Sequence, residues 1–180
     1  THALGIRSRS QLDEKTFELF DNLLVIGCYC IGTNQVNLKL ATQKGIPVFN
    51  SPYSNTRSVA ELTIAEIIAL HRKLGDRNRE LHAGNWVKTS KESYEIRNRV
   101  LGIVGYGHIG SQLSILAESL GMKVLYFDIE SKMSLGNASP TRSLEELLQK
   151  SDVISIHTPA NNDTKNIRPA LKDGIAFRTP

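Results

Sequence analysis

Short apolar runs alternate with amphipathic stretches along this chain. Leu4-Gly-Ile-Arg-Ser8 and Leu23-Leu-Val-Ile-Gly27 have strand length, and the polar stretch Glu14 to Phe20 between them reads as a helix. Asn34 is expected to cap a second helix, which carries Val36 and Leu40 at an i, i+4 spacing and stops at Gly45, two residues before Pro47. Val48-Phe49-Asn50 is another brief strand, ended by Ser51-Pro52. Strands alternating with helices predict a parallel sheet with crossover helices.

The strongest helical pattern follows. Ser58 as N-cap with Glu61 three residues later forms a capping box. Leu62, Ala65, Ile68 and Ala69 then share one face, which Ile64 and Ile67 widen, so burial on two sides is expected. From Gly75 to Arg99 the chain turns polar around a single large apolar anchor, Trp86. This stretch reads as an arm or loop crossing to a second subunit. Val100 to Val104 is a strand, His108 to Leu120 a helix closed by Gly121, and Lys123 to Phe127 the next strand. After a loop over 129–140, Ser143 with Glu146 caps a helix that leads to a strand over Val153–Ile156.

Composition narrows the function classes. Of 180 residues, 40% are hydrophobic and 13 are glycine, the balance of a globular protein. The net charge of +4 comes from scattered residues, without the basic stripe or interleaved aromatics of a nucleic-acid binder. Cys28 and Cys30 are too few for a zinc site and are expected to be reduced thiols. No run approaches the length of a membrane-spanning helix and no signal-type segment opens the sequence, so a cytoplasmic location is expected, with neither membrane nor nucleic acid as a partner.

Gly105-Tyr106-Gly107-His108-Ile109-Gly110 carries the candidate chemistry. This G-x-G-x-x-G sits between a strand and a helix, and Asp128 ends the next strand, 18 residues past Gly110. Gly105 permits the tight turn, Gly107 lets backbone approach a pyrophosphate, and Gly110 allows the helix to pack closely on the sheet. The helix start offers N–H groups and a positive dipole end to the anion. Asp128 suits the ribose hydroxyls and repels a 2′-phosphate, which favours NAD over NADP; Lys132, four residues on, weakens that preference slightly.

With the strings Gly5-Ile-Arg-Ser-Arg9, Ile26-Gly-Cys-Tyr-Cys-Ile-Gly-Thr-Asn-Gln-Val36, Phe49-Asn-Ser-Pro-Tyr-Ser-Asn-Thr-Arg-Ser-Val-Ala-Glu61, Ala117-Glu-Ser-Leu-Gly-Met122 and Ser155-Ile-His-Thr-Pro159, the sequence resembles the D-isomer-specific 2-hydroxyacid dehydrogenases over nearly all of 1–166. Within them it is most similar to the bacterial and fungal branch that oxidises 3-phosphoglycerate to 3-phosphohydroxypyruvate with NAD, at the start of serine biosynthesis. The resemblance implies an α/β fold of two doubly wound, Rossmann-like parallel-sheet domains, with an incomplete substrate domain over 1–54 and an NAD domain over 55–180. It further implies cofactor contacts from His108, Ile109, Asp128 and Asn55, the last near the nicotinamide. Arg7 and Arg9 match residues near the substrate phosphate, and Gly32 and Thr33 a loop whose backbone lies against the substrate carboxylate. His157 matches a residue that flanks the adenine side by its backbone, so it is expected to be structural, as are His71 and His82. A homodimer or homotetramer is implied. The rival readings are a sibling enzyme reducing glyoxylate, hydroxypyruvate or 2-oxoglutarate, and a non-catalytic NAD(H)-sensing module.

The last residues depart from the family pattern. After Thr164-Lys-Asn166 the family continues to an Asn-x-Ser-Arg-Gly type motif, whose arginine binds the carboxylate, and then to an acid paired with a histidine that exchanges the hydroxyl proton. None of these three is present, so no catalytic residue is named in this chain. Pro169 to Ala176 instead resembles a segment well beyond the arginine motif. The expectation is a longer polypeptide whose segments are missing before Thr1, near 166–168 and near 176–178; the alternative is a truncated chain unable to catalyse.

Overall fold

A computed structural model describes residues 1–159, 164 and 175–177. The chain divides into two compact units, Thr1–Asn55 and Thr56–Pro180. The segment Pro169–Ala176 and the junctions near 166–168 and 176–178, where missing segments are expected, lie largely outside the described residues.

In the first unit, strands β1 (Ala3–Ile6), β2 (Val25–Cys28) and β3 (Val48–Asn50) form a parallel sheet in the order β1-β2-β3. Helices α1 (Glu14–Phe17) and α2 (Leu38–Gln43) lie in the crossovers. Ile6, Leu12, Phe17, Ile26, Val36 and Ala41 are among the residues of its core. The cap of α2 is Asn37, not Asn34: its side chain accepts from Leu40 N at 3.1 Å. Val36 instead forms an isolated parallel bridge with Leu12, in which Leu12 N donates to Gln35 O and Asn37 N to Leu12 O. Tertiary pairing thus delays the helix by a turn.

The second unit opens with α3 (Thr56–His71) and α4 (Leu74–His82). The α3 helix starts two residues before Ser58, so Ser58 lies inside it and the expected capping box does not form. Glu61 pairs with Arg57 one turn back, at 2.6 Å. The buried side of α3 is Ala60, Thr63, Ile64, Ile67 and His71, packed towards α5 (His108–Ser119). Leu62, Ile68 and Leu70 are exposed within the chain, which itself covers one side of the apolar circumference. The polar stretch expected to be an arm begins as the helix α4, which buries none of its residues. Ion pairs Arg79–Asp76 and Arg77–Glu80 support it, and Trp86 beyond it is 78% exposed.

A five-stranded sheet follows, in the order β6 (Ser139–Pro140), β5 (Lys123–Phe127), β4 (Val100–Val104), β7 (Val153–Ile156), β8 (Ile175–Phe177). Helix α6 (Leu144–Lys150) precedes β7, and Ser143 caps it by accepting from Glu146 N at 3.2 Å. The first four strands are parallel, whereas β8 runs antiparallel to β7, a departure from the all-parallel expectation at one edge. The winding order third, second, first, fourth reverses between β4 and β7, the switch point at which ligands bind in such sheets. Among the described residues no helix is long and apolar enough to cross a membrane.

Candidate functional site

At the carboxyl end of β4 the chain must turn sharply from sheet to helix. Gly105 takes φ +91°, and a Cβ there would lie 2.8 Å from His157 O, so only glycine lets this loop pass against the one that follows β7. Gly110 is constrained from the other side, since its Cβ would stand 2.3 Å from Gly105 O. Gly107 differs from both. It is the N-cap of α5 with φ −83°, it is exposed, and a Cβ there would meet nothing within 4 Å. Nothing among the described residues requires a glycine at 107, and its bare backbone sits at the start of a helix, where first-turn amides lack intrahelical partners.

Asp128 directly follows β5, the neighbouring strand. Its Oδ2 accepts from Tyr106 N at 2.7 Å and its Oδ1 from Glu130 N at 3.0 Å. Each carboxylate oxygen has more than one acceptor direction, so both retain capacity for a further hydrogen bond. The carboxylate is therefore fixed beside the glycine loop and half-buried, while His108 is exposed and Ile109 partly so. These are the features a dinucleotide requires: open backbone at a helix start for the pyrophosphate and an oriented carboxylate for the ribose.

Two tyrosines that sequence reasoning did not single out hold this arrangement. The rings of Tyr106 and Tyr126 stack with centroids 3.9 Å apart and planes 16° from parallel. The Tyr106 hydroxyl bonds Ser114 Oγ at 2.8 Å, and the Tyr126 hydroxyl donates to Lys132 O at 2.9 Å. Their positions in the fingerprint and two residues before Asp128 are visible in the sequence, but the stack depends on the β4–β5 register.

His157 follows β7. Its backbone N–H donates to Val104 O at 2.8 Å, and its Nε2 meets Ser155 Oγ at 2.8 Å. Burial pushes its imidazole down to about 4, so it is neutral at physiological pH. His71 is likewise lowered by burial, with Nδ1 against Ile67 O. His82 sits at the end of α4 with Nδ1 against Asn78 O.

In the first unit, three groups of site candidates collect at the carboxyl edge of one sheet. Arg7 and Arg9 follow β1, Gly32 and Thr33 follow β2, and Asn55 follows β3. Both arginines are exposed, and neither guanidinium makes a hydrogen bond or ion pair among the described residues. The 29–33 loop is pinned at its neighbour's end: Asn50 Nδ2 donates to Ile31 O at 2.7 Å and Ser51 N to Cys30 O at 3.1 Å. Gln35, buried, donates to Cys30 Sγ at 3.0 Å, and Cys30 Sγ donates to Gly32 O at 3.3 Å. Asn55 is exposed at the end of this unit.

Comparison with known proteins agrees with this geometry. Residues 64–170 match the family model described as the D-isomer specific 2-hydroxyacid dehydrogenase NAD binding domain. The chain is 56% identical over 178 residues to D-3-phosphoglycerate dehydrogenase 2 of Saccharomyces cerevisiae, covering 96% of this chain and 38% of that protein. It is 55% identical over 166 residues to the D-3-phosphoglycerate dehydrogenase of Haemophilus influenzae, covering 92% of this chain and 40% of that one. The crystal structure of D-lactate dehydrogenase from Aquifex aeolicus, complexed with NAD and lactic acid, aligns with a TM-score of 0.82 at 31% identity, over 91% of this chain and 50% of that one. This chain thus spans about two fifths of the length of these two curated relatives. With the strand order, the glycine loop and the fixed Asp128 all in place, it belongs to the D-isomer-specific 2-hydroxyacid dehydrogenase family.

Proposed function

We propose that the intact enzyme oxidises 3-phosphoglycerate to 3-phosphohydroxypyruvate with NAD, and so opens serine biosynthesis. In this reading residues 1–54 supply part of the substrate domain and residues 55–180 belong to the NAD domain. NAD supplies the nicotinamide that takes up hydride from the substrate carbon. The residues of this chain bind and orient: Gly105, Gly107 and Gly110 shape the pyrophosphate loop, His108 and Ile109 line it, Asp128 holds the adenosine ribose, and Asn55 lies near the nicotinamide. Gly32 and Thr33 present backbone to the substrate carboxylate.

The observation that carries the substrate class is the pair Arg7 and Arg9, two unpartnered guanidinium groups at a sheet's carboxyl edge. Such groups hold a phosphate ester bidentately. The names of relatives at 53–57% identity support the same substrate. The exposed apolar residues of α3, with Leu62 60% exposed, and the exposed Trp86 support a homodimer or homotetramer that covers them. The free cysteines Cys28 and Cys30 fit a cytoplasmic enzyme.

Initial rates of the intact enzyme with NAD and 3-phosphoglycerate, and in the reverse direction with NADH and glyoxylate, hydroxypyruvate or 2-oxoglutarate, test this reading. A kcat/KM for the phosphorylated pair well above the others is expected. Comparable or higher values with an unphosphorylated acid would replace 3-phosphoglycerate by that substrate. Dinucleotide binding without turnover of any of them would favour a sensing module.

A further inference from the structure

We propose that the buried pair Tyr106–Tyr126 sets the discrimination between NAD and NADP, by holding Lys132 where it cannot serve a 2′-phosphate. This rests on the reading of Asp128 as the ribose-binding residue and adds to it the device that silences a neighbouring cation.

The loop after Asp128 is where a dinucleotide fold reads the 2′ position. Here it carries Lys132, four residues past Asp128. A free lysine at that place would offset the repulsion between Asp128 and a 2′-phosphate. Lys132 is not free, because both ends of the residue are tied down. Its backbone carbonyl accepts from the Tyr126 hydroxyl at 2.9 Å, and its ammonium pairs with Glu130. The Tyr126 hydroxyl also meets Ser134 Oγ at 3.0 Å, so one buried oxygen fixes two points of the loop. The loop is gripped again from the fingerprint side, where Leu135 N donates to the Tyr106 hydroxyl at 3.4 Å.

The grip is rigid because its base is buried. Tyr106 and Tyr126 are 3% and 2% exposed, their rings stack, and Tyr106 is anchored to α5 through Ser114 Oγ. Neither phenol is needed to fill the core, since phenylalanine has nearly the same volume. What the hydroxyls add is the position of 132–135. Glu130 completes the device: its N–H is held by Asp128 and its carboxylate faces Lys132, so the acidic residue that reads the ribose also positions the residue that neutralises the cation.

The test is a pair of fluorescence titrations, NADH and NADPH, on the intact enzyme. The quantity read is the ratio of the two dissociation constants, with thermal unfolding checked in parallel. Tyr126→Phe should narrow the preference for NADH by about three- to fivefold, the weight of one exposed ion pair gained by the phosphate. Adding Lys132→Ala to Tyr126→Phe should restore the wild-type ratio. Glu130→Gln, an exposed substitution that leaves the tyrosines untouched, should narrow the ratio in the same direction and serves if Tyr126→Phe fails to fold. An unchanged ratio in a folded Tyr126→Phe variant, an unchanged ratio in Glu130→Gln, or a narrowing that persists in the double variant overturns the proposal. Wild-type enzyme that binds neither nucleotide would instead overturn the dinucleotide reading beneath it.

Discussion

The backbone N–H of Tyr106 donates to Asp128 Oδ2 at 2.7 Å, so the second residue of the glycine fingerprint is bonded directly to the acid that follows the next strand. Parallel pairing of Val104 with Phe127 brings the two together, and Gly105 N donating to Phe127 O at 2.9 Å extends that ladder into the loop. The glycine loop and the Asp128 carboxylate are therefore one hydrogen-bonded unit.

Removing the carboxylate should act on both structure and binding. Asp128→Ala leaves the Tyr106 and Glu130 amides without their acceptor, at a cost of about 1–3 kcal/mol where the site is shielded from water. NADH affinity should fall by about tenfold or more with loss of the ribose contact. Asp128→Arg should move preference from NAD towards NADP, as measured by the ratio of kcat/KM values. An unchanged ratio would mean that Asp128 does not face the ribose.

The three glycines should respond differently to a methyl group. Gly110→Ala places Cβ 2.3 Å from Gly105 O and should destabilise the unit by about 1–3 kcal/mol in chemical denaturation. Gly107→Ala meets no atom within 4 Å at an ordinary φ, so stability should be nearly unchanged. Its NADH affinity should nonetheless fall by about tenfold, and Gly107→Val should fall further, because only the ligand needs that space.

Arg7→Ala and Arg9→Ala remove side chains that support nothing else among the described residues. Each should leave the thermal midpoint within about a degree of wild type, since exposed substitutions of this kind cost little. The KM for 3-phosphoglycerate should rise by about tenfold or more, as expected for a lost charge-assisted bond to phosphate. The KM for NAD should be unmoved. Steady-state kinetics with both substrates varied separates the two.

Acid should weaken the second unit through His157. The folded-state value lies near 4 and the ordinary value near 6.5, so the unfolded chain binds the extra proton between them. The stability is fully present above about pH 6.5 and is lost progressively as pH falls to about 4, for a total of about 3 kcal/mol. Lowered His71 contributes with the same sign. His157→Asn should flatten this dependence in denaturant midpoints measured across that range, and the His157 ring protons should show no NMR titration between pH 8 and 6.

The parts of this site that were legible in the sequence are those fixed by local rules. Gly105, Gly107, Gly110 and Asp128 follow from turn geometry and strand length, and Ser143 caps α6 where its spacing predicts. The structure departs from the local pattern where distant pairing overrides it or where no apolar stripe marks an element. Asn34 yielded to Asn37 because Leu12 bridges to Val36, a contact across 24 residues of sequence. The helix α4 has no apolar stripe to announce it, since Leu74 and Leu81 are both exposed and ion pairs hold it. Tyr106 and Tyr126 stack only once β4 and β5 are in register, which no local pattern of either residue reveals.

Calorimetric titration of NAD into the intact enzyme and its Gly107→Val variant is the sharpest test that the glycine loop binds the dinucleotide. Saturable binding to the wild type, at one site per chain, is expected, together with its loss in a variant that melts at the wild-type temperature. Equal binding by both proteins, or no saturable binding by the wild type, would contradict the assignment of this loop to the dinucleotide.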